Sequence, residues 1–495
     1  MESRKTDVMT TGREILSRFF EPQSIAVVGS FREGFFGGYV LIKTVLEAGF
    51  RGRIFPVNPA YREVLGLKVY GSVKELPESV DLVFLIINAG SVLPVMEDCA
   101  ARGIRAAVVV SDGFAERDAE GGHLQEELVA FGRKKGIRII GPNTAGVVNT
   151  ANGFNPCPYE AGYHRLPKGP VAICSQTGMI NPQAYPYRDL RCGVSKICDF
   201  GNKSDVDECD VLEYLEEDND TAVISMYLEG IRDGKRFLDV SKRVTKKKPV
   251  LVLKSGRTQE GARASASHTG SMAVKDTVFD AVCRQGGIIR LDTFQELFQV
   301  PKIFASQPLP RGNRMGILTV TGGVGVMAID EGARYGLEIA RPEEKTISML
   351  EGIFPGAGRM PVDIGPMMAA VKDTFARYPR ILEAVMTDQN VDAVLNVIWA
   401  GLGENAKDIY LRAYEPLKGR FPKPLVTWTY GPDSNTARDL AFGLEDLGFP
   451  VYSDAESCVK ALGLSFRYAQ IKGHDASGKH PSRTNPRPLG FKRGG

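Results

Sequence analysis

Short, uninterrupted apolar runs alternate with longer amphipathic stretches from the start of the chain. Ser24-Ile-Ala-Val-Val28, Arg53-Ile-Phe-Pro-Val57, Leu82 to Ile87, Ala106 to Val110 and Ile137-Arg-Ile-Ile140 have the length and β-branched content of strands. Between them Tyr39 to Ala48, Leu93 to Arg102 and Leu124 to Lys135 carry apolar residues at helical spacing. A strand apolar on both faces must be covered on both, so this alternation predicts a parallel sheet between two helical layers.

The pattern then repeats. Residues 150–168, rich in Asn, Gly, Pro and Tyr and without periodicity, read as a linker. Gly169-Pro-Val-Ala-Ile-Cys174, Ala222 to Leu228 and Pro249 to Leu253 follow as strands, with helices near Val211–Glu217 and Lys235–Val244. A third unit opens after Pro308-Leu-Pro310 with Met315 to Val320, a glycine-rich turn and a helical run from Val326 to Tyr335. The expectation is an α/β chain of three doubly wound, Rossmann- or flavodoxin-like domains with mainly parallel sheets, at 1–150, 165–305 and 310–470. Residues 471–495 are basic and almost devoid of apolar side chains, which predicts a disordered tail.

A length of 495 residues suits about three domains of roughly 150 residues. The formal charge of +3 gives no electrostatic case for a nucleic-acid partner. The eight cysteines are scattered, without a CxxC pair or zinc spacing, and fit buried thiols in a reducing compartment. The N-terminus has no apolar run behind its basic start, and no segment approaches a membrane span. A cytoplasmic protein with no membrane association is expected.

Candidate chemistry sits in the glycine-rich turns. Gly29-Ser30, Gly34 and Gly37-Gly38 separate the first strand from the first helix, a layout that brings backbone N–H groups to a phosphate. The dinucleotide spacing G-x-G-x-x-G is absent. The second strand ends in Val57-Asn58-Pro59, with no carboxylate for a ribose, so an NAD-linked oxidoreductase is excluded. A different phosphate-bearing nucleotide, such as coenzyme A, fits better.

Of five histidines, His123 lies in a Gly-Gly-His turn, His164 in the linker, and His474 and His480 in the tail. His268 is set among small residues, Gly261-Ala-Arg-Ala-Ser-Ala-Ser-His268-Thr-Gly-Ser271, read as a mobile loop in which an imidazole can act as a nucleophile towards phosphorus. A phosphohistidine would carry close to ~2 negative charges and need donors around it. Ser175-Gln176-Thr177-Gly178 and Thr321-Gly322-Gly323 are the two helix starts that could supply them. Glu229 falls at a strand end, where a carboxylate can orient an imidazole.

Together these motifs resemble the α subunit of NDP-forming acyl-CoA synthetases, of the ADP-forming acetate–CoA ligase type, and more distantly the α chain of succinyl-CoA synthetase. The likeness runs over residues 18–470. It implies coenzyme A bound by Gly29, Ser30, Phe31, Val57, Asn58, Ile87, Asn88, Ser111, Gly113 and Asn143. It also implies His268 as phosphoryl carrier, oriented by Glu229. Ser175, Gln176, Thr177, Gly178, Gly322 and Gly323 would bind the phosphate. The implied reaction is acyl-CoA + ADP + phosphate ⇌ carboxylic acid + CoA + ATP, through acyl phosphate and phosphohistidine. The family's nucleotide and Mg2+ site lies on an ATP-grasp domain, for which the three units leave no room. A separate β subunit in an α2β2 heterotetramer is therefore expected, with no metal on this chain. A non-catalytic CoA-binding regulatory or assembly subunit is the rival reading.

Overall fold

The computed structural model describes residues 14–159, 166–180, 187–269, 275–370, 374–401 and 406–477. In the first unit β1 (Ser24–Gly29), β2 (Arg53–Val57), β5 (Leu82–Ile86), β6 (Ala106–Val109) and β7 (Arg138–Ile140) form one parallel sheet in the order β2-β1-β5-β6-β7. A separate hairpin joins β3 (Glu63–Val64) to β4 (Leu67–Lys68). All six residues of β1 are buried, as continuous apolar strands covered on both faces require. The helices are α1 (14–20), α2 (Gly38–Glu47), α3 (Ala89–Ala101) and α4 (Ala119–Lys135). Asp118 caps α4 by accepting from the Gly121 N–H at 2.8 Å, and Gly136 ends it in the left-handed region at φ 68°. His123, read as a turn residue, lies within this helix.

The second sheet contains β8 (Val147–Asn149), β9 (Lys168–Ser175), β10 (Val194–Asp199), β11 (Val223–Leu228), β12 (Val250–Lys254) and β13 (Ile289–Arg290). Its order is β13-β12-β11-β9-β10-β8, parallel except for β8. Residues 147–149 thus belong to the second sheet, and just beyond them the Thr150 hydroxyl donates to the Val194 carbonyl at 2.5 Å. The last residues of the span read as the first domain are therefore an edge of the second sheet, because a short strand with an unremarkable apolar pattern gains its partner only in the fold. The helices are α5 (Glu208–Glu216), α6 (Gly234–Lys247), α7 (Gln259–Thr269), α8 (Asp276–Gly286), α9 (Glu296–Gln299) and α10 (Pro301–Ser306).

The third sheet repeats the plan with β14 (Arg314–Thr319), β15 (Glu338–Ile339), β16 (Val362–Asp363), β17 (Ala393–Trp399), β18 (Leu425–Tyr430) and β19 (Val451–Tyr452), all parallel. The order is β15-β14-β17-β18-β19, with β16 paired to the end of β14. Its helices are α11 (Gly322–Arg334), α12 (Glu344–Ile353), α13 (Gly365–Ala370), α14 (Thr374–Thr387), α15 (Ala406–Tyr414), α16 (Ser434–Asp446) and α17 (Ala455–Ser477).

Helix α17 ties the last two units together. Its Cys458, Val459 and Leu462 are buried in the third unit, whereas Leu464 and Tyr468 pack into the core of the second. The Tyr468 hydroxyl donates to the Thr245 carbonyl at 3.0 Å. This packing carries the helix through 471–477, the beginning of the stretch read as tail; 478–495 lie outside the described residues. Among the described residues no helix is long and apolar enough to cross a membrane.

Candidate active site

In each sheet the first parallel strand sits where the strand order reverses, the position at which open α/β sheets bind ligands. At the first reversal Gly29 pairs with Ile86, and a Cβ on Gly29 would lie 2.9 Å from the Ile86 carbonyl oxygen. The Asn58 side-chain amide donates to the Gly29 carbonyl at 2.8 Å, which joins the ends of β1 and β2. Ser111 Oγ accepts from the Ile87 N–H at 3.1 Å and donates to the Leu85 carbonyl at 3.3 Å. Gly113 turns at φ 91° and Asn143 at φ 57°. Ser30, Asn88 and Asn143 are exposed along this rim, and Ile87 is half-buried.

Two expected contacts lie elsewhere. Phe31 is buried edge-on against Tyr61 and Val57 is core, so both support the cleft from beneath. An aromatic in a glycine-rich turn reads equally as a ligand contact or as an anchor, and packing makes Phe31 the anchor.

Glu116 fixes the loop after β6. One carboxylate oxygen accepts from the N–H groups of Gly113 at 2.6 Å and Phe114 at 3.0 Å, and the other from the Asn202 amide of the second unit. Burial raises the Glu116 pKa, but these bonds outweigh it and hold the group below its usual range. Asn202 also donates to Gln125 at 2.9 Å and accepts from Asn143 at 3.5 Å. The segment Gly201–Asp207 therefore lies directly against the rim of the first sheet. A Cβ on Gly201, at φ 53°, would lie 2.2 Å from the Pro142 carbonyl oxygen, so glycine permits this approach.

The second reversal lies between β9 and β11. Ser175 closes a tight turn, its Oγ accepting from the Thr177 N–H at 2.9 Å and donating to the Thr177 carbonyl at 3.0 Å. Thr177 Oγ1 accepts from Met179 N–H at 3.4 Å, and Gly178 is exposed at the start of a three-residue 3-10 turn (Gly178–Ile180). The expected helix beyond it falls on 181–186, outside the described residues. Glu229 follows β11 and is buried at 7% exposure, with the Tyr227 hydroxyl donating to it at 3.3 Å. Burial first, and then the Glu229 charge, push the Tyr227 phenol up, so it stays a donor.

Gln176 has a different place from the one expected. Its side-chain oxygen accepts from the N–H groups of Glu229 at 2.8 Å and Gly230 at 3.3 Å and from Lys203 at 3.2 Å. It lies beneath the turn as a brace, with its acceptor turned inward. Lys203, which sequence reasoning missed, is 2% exposed; a lysine between Asn and Ser reads as surface until the fold encloses it.

His268 is the penultimate residue of α7, the helix after β12, which neighbours β11. The expected loop is helix as far as Thr269. Alanines at 262, 264 and 266 favour helix, and Thr258 caps it by accepting from the Gly261 N–H at 3.0 Å. The His268 side chain and residues 270–274 lie outside the described part.

The third reversal repeats the second. Thr319 Oγ1 accepts from the Thr321 N–H at 3.0 Å and donates to its carbonyl at 3.0 Å, and α11 begins at once with exposed Gly322 and Gly323. Thr321 leaves the first turn of α11 without a side-chain cap; its hydroxyl shares a 2.7 Å hydrogen bond with that of Tyr430. Asp363 stands beside this turn, since a Cβ on Gly322 would lie 2.9 Å from its Oδ2. Neither Tyr430 nor Asp363 was legible beforehand, because each comes from a strand distant in sequence.

Residues 23–150 match the CoA binding domain family, and residues 168–304 the succinyl-CoA ligase like flavodoxin domain family. The α subunit of acetate–CoA ligase (ADP-forming) II from Pyrococcus furiosus is 36% identical over 94% of this chain and 100% of its own length. Acetate–CoA ligase (ADP-forming) II from Archaeoglobus fulgidus is 38% identical over 92% of this chain and 67% of its own length. Among solved structures, the dinucleotide forming acetyl-coenzyme A synthetase 1 of Ca. Korarchaeum cryptofilum, in complex with phosphate and ADP, superposes with a TM-score of 0.85. It is 30% identical, covering 94% of this chain and 99% of its own. A CoA-binding unit joined to a ligase-type flavodoxin unit defines the class as acid–CoA ligase. The chain belongs to the ADP-forming acetate–CoA ligase family and is of its α-subunit type.

Proposed function

We propose that this chain is the CoA-binding, histidine-phosphorylated subunit of a cytoplasmic ADP-forming acyl-CoA ligase. The observation that carries the reading is the order of three neighbouring parallel strands, β12-β11-β9. At their C-terminal ends stand the helix bearing His268, then Glu229, then the Ser175–Gly178 turn. A nucleophile, its orienting carboxylate and a phosphate-type turn are thereby drawn from adjacent strands of one sheet.

In this reading coenzyme A lies across the rim of the first sheet. Gly29 and Gly113 admit close backbone approach, with Ser30, Asn58, Ile87, Asn88, Ser111 and Asn143 around it. Phosphate attacks the acyl-CoA carbonyl carbon, the C–S bond breaks, and CoA leaves as the thiol. One imidazole nitrogen of His268 then takes the phosphoryl group from the acyl phosphate and releases the carboxylate. Glu229 accepts from the other ring nitrogen and steadies the imidazolium. Donors at Ser175, Thr177 and Gly178, and in the first turn of α11 at Gly322 and Gly323, hold the phosphoryl oxygens. ADP, with Mg2+, removes the phosphoryl group on an ATP-grasp β subunit, in an α2β2 assembly. The relatives named as α subunits support a separate β chain.

The test is to combine the chain with its ATP-grasp partner, labelled ATP and magnesium, and to measure acid-labile phosphate. Labelling is expected in the wild type and lost in His268→Ala. Equal labelling of both would overturn the assignment.

A further inference from the structure

We propose that Lys203 is a positioning residue for phosphoryl transfer, holding the Ser175–Gly178 turn and Glu229 in register through Gln176. The proposal rests on the phosphohistidine reading above and assigns a role that reading leaves open.

Lys203 is held on one side and reaches to the other. Its backbone lies in the left-handed region at φ 53°, which is strained for a residue with a Cβ. The preceding residue is pinned to the first unit: the Asn202 N–H donates to the Pro142 carbonyl at 2.9 Å. The following residue is pinned as well, the Ser204 hydroxyl donating to the Gly141 carbonyl at 2.7 Å. From this fixed point the ammonium group donates to Gln176 Oε1 at 3.2 Å, Glu208 Oε2 at 2.6 Å and the Gly230 carbonyl at 2.5 Å. Its three donors are thereby all used, so its direction is set.

The consequence is convergence on one atom. Gln176 Oε1 receives Lys203 and the N–H groups of Glu229 and Gly230, while the Gln176 N–H donates to the Tyr227 carbonyl at 3.2 Å. The turn and the backbone that carries the Glu229 carboxylate are thus bonded to a common brace that is itself aimed by a buried cation. Lys203 touches neither the rim of the first sheet nor the last residues of α7 in any hydrogen bond described. It would act on Glu229 and the turn, and leave coenzyme A alone.

Lys203→Met, assayed in the complete complex with the β partner, should lower the phosphoenzyme formation rate and kcat about 100-fold, the scale of a small misplacement of catalytic groups. The KM for CoA should not change. Because Lys203→Met strands Glu208, Gln176→Met is the second variant; it keeps the Lys203–Glu208 pair and should reproduce the defect. Because part of the effect runs through Glu229, Lys203→Met should also cost clearly less in a Glu229→Gln background than in wild type. Wild-type labelling rates in both single variants would overturn the proposal, as would a defect multiplying with that of Glu229→Gln or a matching rise in the KM for CoA. If His268→Ala labels like wild type, the phosphohistidine reading falls and this role falls with it. If His268→Ala is unlabelled while Lys203→Met and Gln176→Met label normally, this role alone falls.

Discussion

Arg138, at the start of β7 in the first unit, donates to Asp210 in the first turn of α5 in the second at 2.6 Å. A second bond to Asp205 at 2.9 Å, and one from Arg236 to Asp210 at 2.7 Å, complete a charged seam between the units. Burial raises the Asp210 pKa, yet the two guanidinium groups outweigh it and hold the carboxyl below its usual range.

Arg138→Met is expected to destabilise the protein by about 3 kcal/mol, because Asp205 loses its guanidinium partner and Asp210 keeps only Arg236. The measurement is the denaturant midpoint with the slope unchanged. A midpoint equal to wild type would show the seam to be energetically neutral.

Asp199 supplies a pH test. Burial pushes its carboxyl up to about 6, even though it accepts from the Ala145 N–H at 2.7 Å and the Gly201 N–H at 3.0 Å. A carboxyl with a raised folded pKa favours folding most below its unfolded value, near ~4, and loses that contribution as pH rises through about 6. The stability of wild type minus that of Asp199→Asn should therefore fall by roughly 3 kcal/mol between about pH 4 and pH 7. Taking the difference cancels the other titrating groups. Urea midpoints for both proteins across that range decide it, and a flat difference would contradict the assignment.

Gly29→Ala should lower stability by about 1–3 kcal/mol and weaken CoA binding, since the added methyl meets a backbone carbonyl that cannot turn aside. Thermal melting and calorimetric titration with CoA read the two effects. An alanine variant that binds and melts like wild type would refute the close approach.

The thiols should be inert in the native protein. Cys192 is only half-buried by side-chain exposure, yet burial pushes its pKa up to about 12, as it does for Cys99 and Cys283. Iodoacetamide at pH 8 followed by mass spectrometry should leave these three unmodified until denaturant is added. Rapid native labelling of Cys192 would contradict this.

Much of the first unit was legible because a parallel strand covered on both faces is an unbroken apolar run, visible without its neighbours; β1 and β5 are such runs. The glycine turns at Gly29, Gly178 and Gly322 were legible as local motifs, although only Gly29 is held to glycine by a backbone neighbour, the Ile86 carbonyl of β5. The α7 helix was misread because its Ser/Ala composition suits loop and helix alike, and the cap at Thr258 tips the balance.

The sequence by itself determined the fold class, the family and the identity of His268 and Glu229 as candidates, all of which depend on short-range pattern. Only the tertiary structure decided that β8 crosses into the second sheet, that Phe31 is an anchor, and that Lys203 aims Gln176 at the Glu229 backbone. Each of these depends on groups far apart in sequence sharing one buried space. There an unpaired polar atom is costly, so the partner a side chain finds sets what it does.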